Sequence, residues 1–328
     1  MNLSARSLAT TSLPLLQAVV ALAILAMLWH VADGPAALES LAAADWRWVA
    51  LAFVALNFQT VLSALRWRLT ARQLNLALGK GLAIREYYFA QAVNQLLPGG
   101  MIGDAGRALR TRGQSGLMAS GQAVIFERLS GQIAMFLTLA IAFLITLVLP
   151  GGLDWPQWLS WSVAQLLAAA LALPLLAGAA TRLPGKAGRS AVSAWQALNK
   201  TLLSRAALPG QIWLGIGTTL CNLAAFAFCA RAVGVVLGPG AITALVPLIL
   251  LTMLIPISVA GWGLREGAAV VLLPIAGATA SAGLAVSVTY GLTFLISVLP
   301  GIVMIWAAPR VATRKSQNVQ PTGDKRTD

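Results

Sequence analysis

Charge is what this sequence has least of. Only 10% of its 328 residues are Asp, Glu, Lys or Arg, while 58% are hydrophobic; a soluble domain carries about 25% charged residues. A soluble fold this apolar would have too little polar surface to face water, so the composition excludes an ordinary cytosolic enzyme. Histidine is scarcer still. His30 stands alone, which excludes metal centres built from several imidazoles, and no cofactor is expected. The two cysteines, Cys221 and Cys229, lie in one apolar run; on a helix their spacing is about 12 Å of rise, too far for a disulfide. They read as small buried apolar side chains. No Gly-x-x-x-x-Gly-Lys-Ser/Thr element occurs, so ATP hydrolysis by this chain is not expected.

What the sequence has is long apolar runs separated by short basic blocks. The net charge of +13 sits in those blocks, which match the anionic inner leaflet of a membrane rather than nucleic acid. Leu13 to Val31 is long enough to span a bilayer at about 20 residues per crossing. A secretory leader is the competing reading, but the run exceeds a leader's apolar core of about 7–15 residues, so a retained span is expected. Further spans are expected from Trp46 to about Leu65, within Leu117–Leu149, over Leu159–Ala180, Ile212–Leu237 and Ala282–Ala308. Between Leu159–Ala180 and Ile212–Leu237, Ala191, Trp195, Leu198 and Leu202 recur at helical spacing opposite Lys200, the pattern of a helix lying on the inner surface.

Two segments fit neither a span nor a loop. Tyr87 to Leu97 is too short to cross and carries Gln91, Asn94 and Gln95; it ends in Leu97-Pro98-Gly99-Gly100 and leads into Asp104, Arg107, Arg110 and Arg112. The last third breaks at Pro256-Ile-Ser-Val-Ala-Gly261-Trp-Gly263-Leu-Arg265-Glu266-Gly267. Both read as broken, re-entrant helices near 87–112 and 256–278. The fold expected is therefore an all-α polytopic membrane protein with six to eight crossings. It comprises a cytoplasmic N-terminus (1–12), one transmembrane domain (13–308) and a basic, disordered cytoplasmic tail (309–328).

Sidedness follows from lysine and arginine, which concentrate on the cytoplasmic side. With the N-terminus inside, twenty of the 23 basic residues fall on the inner side or in the first broken segment, while Asp33, Glu39, Asp45 and Asp154 fall outside. Both termini are then cytoplasmic, and a bacterial inner membrane is the expected location. Trp46, Trp48, Trp155, Trp158 and Trp161 fit an outer interfacial belt; Trp67, Trp195 and Trp306 fit an inner one.

Charges at membrane depth cost about 2.5–3.5 kcal/mol each on insertion scales and survive only when paired or wetted. Three acids stand there: Asp104, Glu127 and Glu266, near Arg107, Arg128 and Arg265. Asp104 and Arg107 share a helix face at i,i+3. Glu127–Arg128 and Arg265–Glu266 are sequence neighbours, whose side chains diverge by about 100° on a helix, so each is expected to find partners on other segments. The crosswise pairs Asp104–Arg128 and Glu127–Arg107 are expected. Two roles stay open: the pairs merely pin the broken helices, or they also line a polar cavity for a substrate. The two breaks share a plan in which a proline (Pro98, Pro256) and glycines (Gly99, Gly100, Gly103; Gly261, Gly263) precede an acid and an arginine. Backbone freed at such breaks cannot be satisfied by lipid, and transporters build binding sites from it.

At these residues the chain resembles the membrane region of the lysylphosphatidylglycerol synthase/flippase family. The matching pieces are Asn94-Gln-Leu-Leu-Pro98-Gly-Gly-Met-Ile-Gly103-Asp104-Ala-Gly-Arg107, Phe126-Glu127-Arg128-Leu129 and the Pro256–Gly267 segment, within a resemblance over roughly residues 10–310. The resemblance implies a lipid-handling membrane domain. Since the chain ends at Asp328, the soluble synthase domain found beside it in other members is expected to be missing. Two departures are Glu127-Arg128, where the family often has Asp-Arg, and Ala260-Gly261, where it often has Asn-Gly; the second removes an amide from the breakpoint.

The function expected is translocation of an anionic or amphipathic lipid, not catalysis. The headgroup would meet Asn94, Asp104, Arg107, Glu127, Arg128, Arg265 and Glu266, with arginine forks suited to phosphate. Two alternatives are a membrane-embedded lipid-modifying transferase with Asp104 or Glu127 as general base, and a scaffold for a partner synthase. The partners expected are a membrane phospholipid or other lipid and anionic inner-leaflet lipids, not nucleic acid.

Overall fold

A computed structural model describes residues 3–97, 100–113, 115–148, 153–255, 259–301 and 303. The expectations for Pro98, Gly99, Pro256, Trp306 and the 309–328 tail lie outside the described residues. Among those described there are twelve α-helices, two short 3-10 turns and no strand. Five helices are long and apolar enough to cross a membrane, six if one bent pair counts as a single span. The protein is an all-α polytopic membrane protein, and its span count sits at the low edge of the range expected.

The bent pair lies at the N-terminal end. Helix α1 (Leu3–Val31) turns by 93° into α2 (Gly34–Ala42). Asp33 makes the corner: its backbone is left-handed (φ 54), and its carboxylate accepts from the Ala36 N–H to cap α2, with Pro35 in the first turn. The segment read as an outer loop is therefore a second helix.

Helix α3 (Trp46–Gln73) begins at Asp45, whose carboxylate accepts the Arg47 N–H at 2.9 Å. It runs two turns beyond the expected span. Its chief partner is α9 (Leu208–Ala232). Small residues let the two backbones close together, as is common between membrane helices: a Cβ on Gly210 would stand 2.7 Å from Leu69, and one on Gly217 3.0 Å from Leu62.

Helices α4 (Lys80–Leu96) and α5 (Ile102–Thr111) form an antiparallel hairpin about the first break. Its pairings run in reverse register. Asn94 Oδ1 accepts the Gly103 N–H at 2.7 Å, and Glu86 accepts from Arg110 Nε at 2.5 Å. Contact is closest at Gly103, where a Cβ would lie 2.0 Å from the Ala90 carbonyl oxygen; only glycine fits. The exterior of the turn is apolar, with Leu96, Leu97, Met101 and Ile102 all exposed.

The long helix α6 (Gly116–Val148) packs against α3, α5, α9 and α10 (Pro239–Leu251). Helix α7 (Gln157–Ala180) leads to the amphipathic α8 (Gly185–Leu202), the helix expected on the inner surface. At about 20 Å of rise, α10 is shorter than the ~30 Å hydrocarbon core, and a 3-10 turn at Thr252–Leu254 extends it. Beyond the second break come the short α11 (Leu264–Leu272), a 3-10 turn at Leu273–Ala276 and α12 (Ala280–Ser297). One core cluster draws on α3, α6, α9, α10, α11 and α12, with Leu56, Leu139, Phe226, Leu245 and Ile249 fully buried.

One tryptophan placement differs from expectation. Trp67 is 1% exposed and packs in the core rather than in an inner belt, because α3 continues past the expected end of its span. For the same reason Arg66 is buried, at 4% exposure. Trp46, Trp158 and Trp161 are exposed, as belt residues are.

Candidate functional site

Helices α3 to α6 bring one ion network together. Glu127, fully buried on α6, accepts from Arg66 Nη2 at 2.8 Å and from Arg107 Nη2 at 3.0 Å, while the Tyr87 hydroxyl donates to it at 3.3 Å. Asp104 on α5 accepts from Arg107 Nε at 2.8 Å and from Asn94 Nδ2 at 2.9 Å, and pairs with Arg128. Arg107 thus bridges the two carboxylates. Its guanidinium lies between the Trp67 and Tyr87 rings, 4.6 Å from each centroid, which holds its plane by cation–π attraction on both faces. Both crosswise pairs, Asp104–Arg128 and Glu127–Arg107, are present, and so is the shared-face pair Asp104–Arg107.

This network lines a cavity of about 290 Å³. The two breaks meet there: Asn94, Gln95 and Gly100 come from the first, and Met253, Leu254 and Ala260 from the second. Arg66, Arg107, Arg128, Asp104, Glu127 and Tyr87 supply its charged wall, amides and hydroxyls from α3, α4, α6 and α9 add polar surface, and Met135, Leu250, Leu251, Leu254 and Phe294 make part of it apolar. Three guanidinium nitrogens that are buried find no partner among the described residues: Arg66 Nε, Arg107 Nη1 and Arg128 Nε. Buried donors left in this way are costly.

Arg265 and Glu266 do not join this cavity. Glu266 curls back to accept the N–H of Gly263, the residue before α11, at 2.6 Å. Gly263 has φ 88, a left-handed conformation suited to glycine. The curl brings the Glu266 carboxylate beside the Arg265 guanidinium, and the two pair with each other, with Ser287 bridging at 3.0 and 3.1 Å. The expectation that these neighbours find partners on other segments holds for Ser287 of α12 but is corrected for the charges, which pair with each other: helix-start geometry overrides the 100° divergence of a regular helix. The pair lies behind the cavity wall, where Arg265 stacks near Trp262 and Tyr290; Tyr290 alone of these lines the cavity. Arg110, of the same charged segment as Asp104 and Arg107, pairs with Glu86 and lies over Phe89.

Sequence reasoning missed Arg66, Tyr87 and Thr218, which accepts from Arg66 Nη1 at 2.9 Å. A signal for Arg66 existed. Gln59, Ser63, Arg66 and Thr70 fall at i, i+4, i+7 and i+11, a polar stripe along an otherwise apolar helix.

A polytopic helical protein with a buried charged cavity between two broken helices defines the class. The chain belongs to the family described as the lysylphosphatidylglycerol synthase TM region, whose model matches residues 15–301. All three motif segments fall inside that match. Neither the curated proteins nor the solved structures contained a match to the chain.

Proposed function

We propose that the protein translocates a lipid between leaflets, with the headgroup passing through the charged cavity while the acyl tails remain in the bilayer. One observation carries the reading: two broken helices open onto a single cavity whose wall holds three arginines and two acids. The rim supports it. Gln95 and Gly100 line the cavity beside Leu96, Leu97, Met101 and Ile102, which are exposed and apolar. A headgroup can therefore sit against the polar wall while its tails lie along the hairpin's exterior. In this reading the α4–α5 hairpin is the re-entrant element, since its two helices return to the same end and its tip is too apolar for water.

The carboxylates argue against the transferase alternative. Asp104 and Glu127 each accept from three donors, which leaves neither as a free base. Family membership is compatible with both lipid synthesis and lipid movement, and the cavity's chemistry favours movement. The test is reconstitution of the full chain into liposomes containing fluorescent phospholipids. Leaflet exchange faster than in protein-free vesicles is expected, and Glu127→Gln is expected to slow it. Exchange no faster than in empty vesicles, for every lipid class tried, would refute translocation.

A further inference from the structure

Resting on that reading of the cavity, we propose its substrate class: a lipid whose headgroup is a monoanionic phosphodiester bearing uncharged hydroxyl groups, with ammonium-bearing headgroups disfavoured. Charge bookkeeping is the first argument. Arg66, Arg107 and Arg128 stand against Asp104 and Glu127, so the wall carries one positive charge more than it neutralises. A single phosphodiester charge balances it. A phosphomonoester, at about −1.5 to −2 near neutral pH, would overshoot.

Engagement of the acids is the second argument: each already takes three donors of the roughly four a carboxylate can accept, and two of the three are arginines. An ammonium group needs an acceptor with spare capacity, preferably a carboxylate. Asp104 is already held by Arg107, Asn94 and Arg128, and Glu127 by Arg66, Arg107 and Tyr87. The lysyl headgroup in the family's name carries such ammonium groups, and this cavity offers them no free carboxylate among the described residues.

The unused donors are the third. Arg66, Arg107 and Arg128 line the cavity, and Arg66 Nε, Arg107 Nη1 and Arg128 Nε are buried with no partner among the described residues, so a rotation of each guanidinium on binding would give them an acceptor. A phosphate oxygen is the acceptor that such forks take best. The same cavity holds amides. The side chains of Gln95, Gln132 and Asn222 line the cavity without a hydrogen bond to any described residue, and each offers both donors and an acceptor, as a glycerol or sugar hydroxyl requires. The volume of about 290 Å³ corresponds to roughly ten waters at ~30 Å³ each, room for a small polyol phosphate.

Two readouts on the full-length protein test this. Short-chain phosphatidylglycerol, phosphatidylethanolamine, lysyl-phosphatidylglycerol and phosphatidic acid, with deacylated glycerophosphoglycerol, are titrated against purified protein, reading thermal stabilisation. The acyl-labelled lipids are then followed for leaflet exchange in phosphatidylcholine vesicles. Phosphatidylglycerol is expected to bind at least about tenfold more tightly than either ammonium-bearing lipid and more tightly than phosphatidic acid. Equal binding of an ammonium-bearing lipid overturns the charge assignment, and equal binding of phosphatidic acid overturns the hydroxyl assignment. Equal binding of glycerophosphoglycerol shows a soluble ligand and overturns the lipid assignment. Selective binding without exchange of any lipid would uphold the substrate class and refute translocation; exchange without headgroup preference would do the reverse. Arg128→Gln, at a half-buried position, is expected to bring the phosphatidylglycerol to phosphatidylethanolamine ratio close to one. Gln132→Leu is expected to erase the advantage over phosphatidic acid alone. Unchanged ratios in both variants would refute the assignment of these side chains.

Discussion

Replacing Glu127 with glutamine probes the network at its centre. The change is nearly isosteric, so packing is preserved and what is lost is charge. Arg107 keeps Asp104, but Arg66 keeps only neutral acceptors, the Thr218 hydroxyl and the new amide oxygen, leaving a guanidinium 4% exposed without a counter-ion. Breaking a buried ion pair by removing one partner costs about 3–5 kcal/mol. At about 2 °C per kcal/mol, the scale for large domains, the melting point of purified protein in detergent should fall by about 6–10 °C. The companion measurement adds Arg66→Gln to the Glu127→Gln background. Removing the stranded cation should recover part of the loss, and a double-mutant cycle should give a coupling of about 1–3 kcal/mol. If Glu127→Gln melts within 2 °C of the parent, or the second substitution only adds to the damage, the carboxylate is not buried among guanidiniums and the cavity argument fails with it.

Other expectations follow from single contacts. Gly103→Ala places a methyl 2.0 Å from the Ala90 carbonyl and should cost about 1–3 kcal/mol, read as a lower melting point with slower lipid exchange; Gly106→Ala, which meets only the flexible end of Arg110, should be far milder. Ala260, left-handed at φ 50, is strained for an L residue with a Cβ, so Ala260→Asn should raise stability by up to about 1 kcal/mol in a thermal melt; an equal loss would contradict the assigned backbone. Glu266→Gln should destabilise the fold by breaking the pair behind the wall, yet leave headgroup preference unchanged, because Glu266 does not line the cavity. A membrane-permeant maleimide should modify the half-buried Cys221 well before Cys229, which is fully buried beside Thr293; mass spectrometry of the labelled protein reads the order.

Much of this protein is determined by its sequence alone. Apolar runs near 20 residues must cross a bilayer, and segments too short and too polar to do so must break, so the spans and both breaks were readable from hydropathy and glycine–proline placement. The crosswise pairs were readable too, because Asp104, Arg107, Glu127 and Arg128 have no other route to neutrality at membrane depth. Tertiary structure alone decided the rest. Arg66 entered the network only because α3 runs on past its apolar segment and turns its polar stripe toward α6, a matter of packing that local composition does not encode. Arg265 and Glu266 left it because Gly263 starts a helix there, and the Glu266 carboxylate is drawn to the free N–H at that start. Hydropathy fixes how deep a residue lies in the membrane; which side chains then meet depends on helix rotation and close approach, and those are set by contacts between segments far apart in the chain.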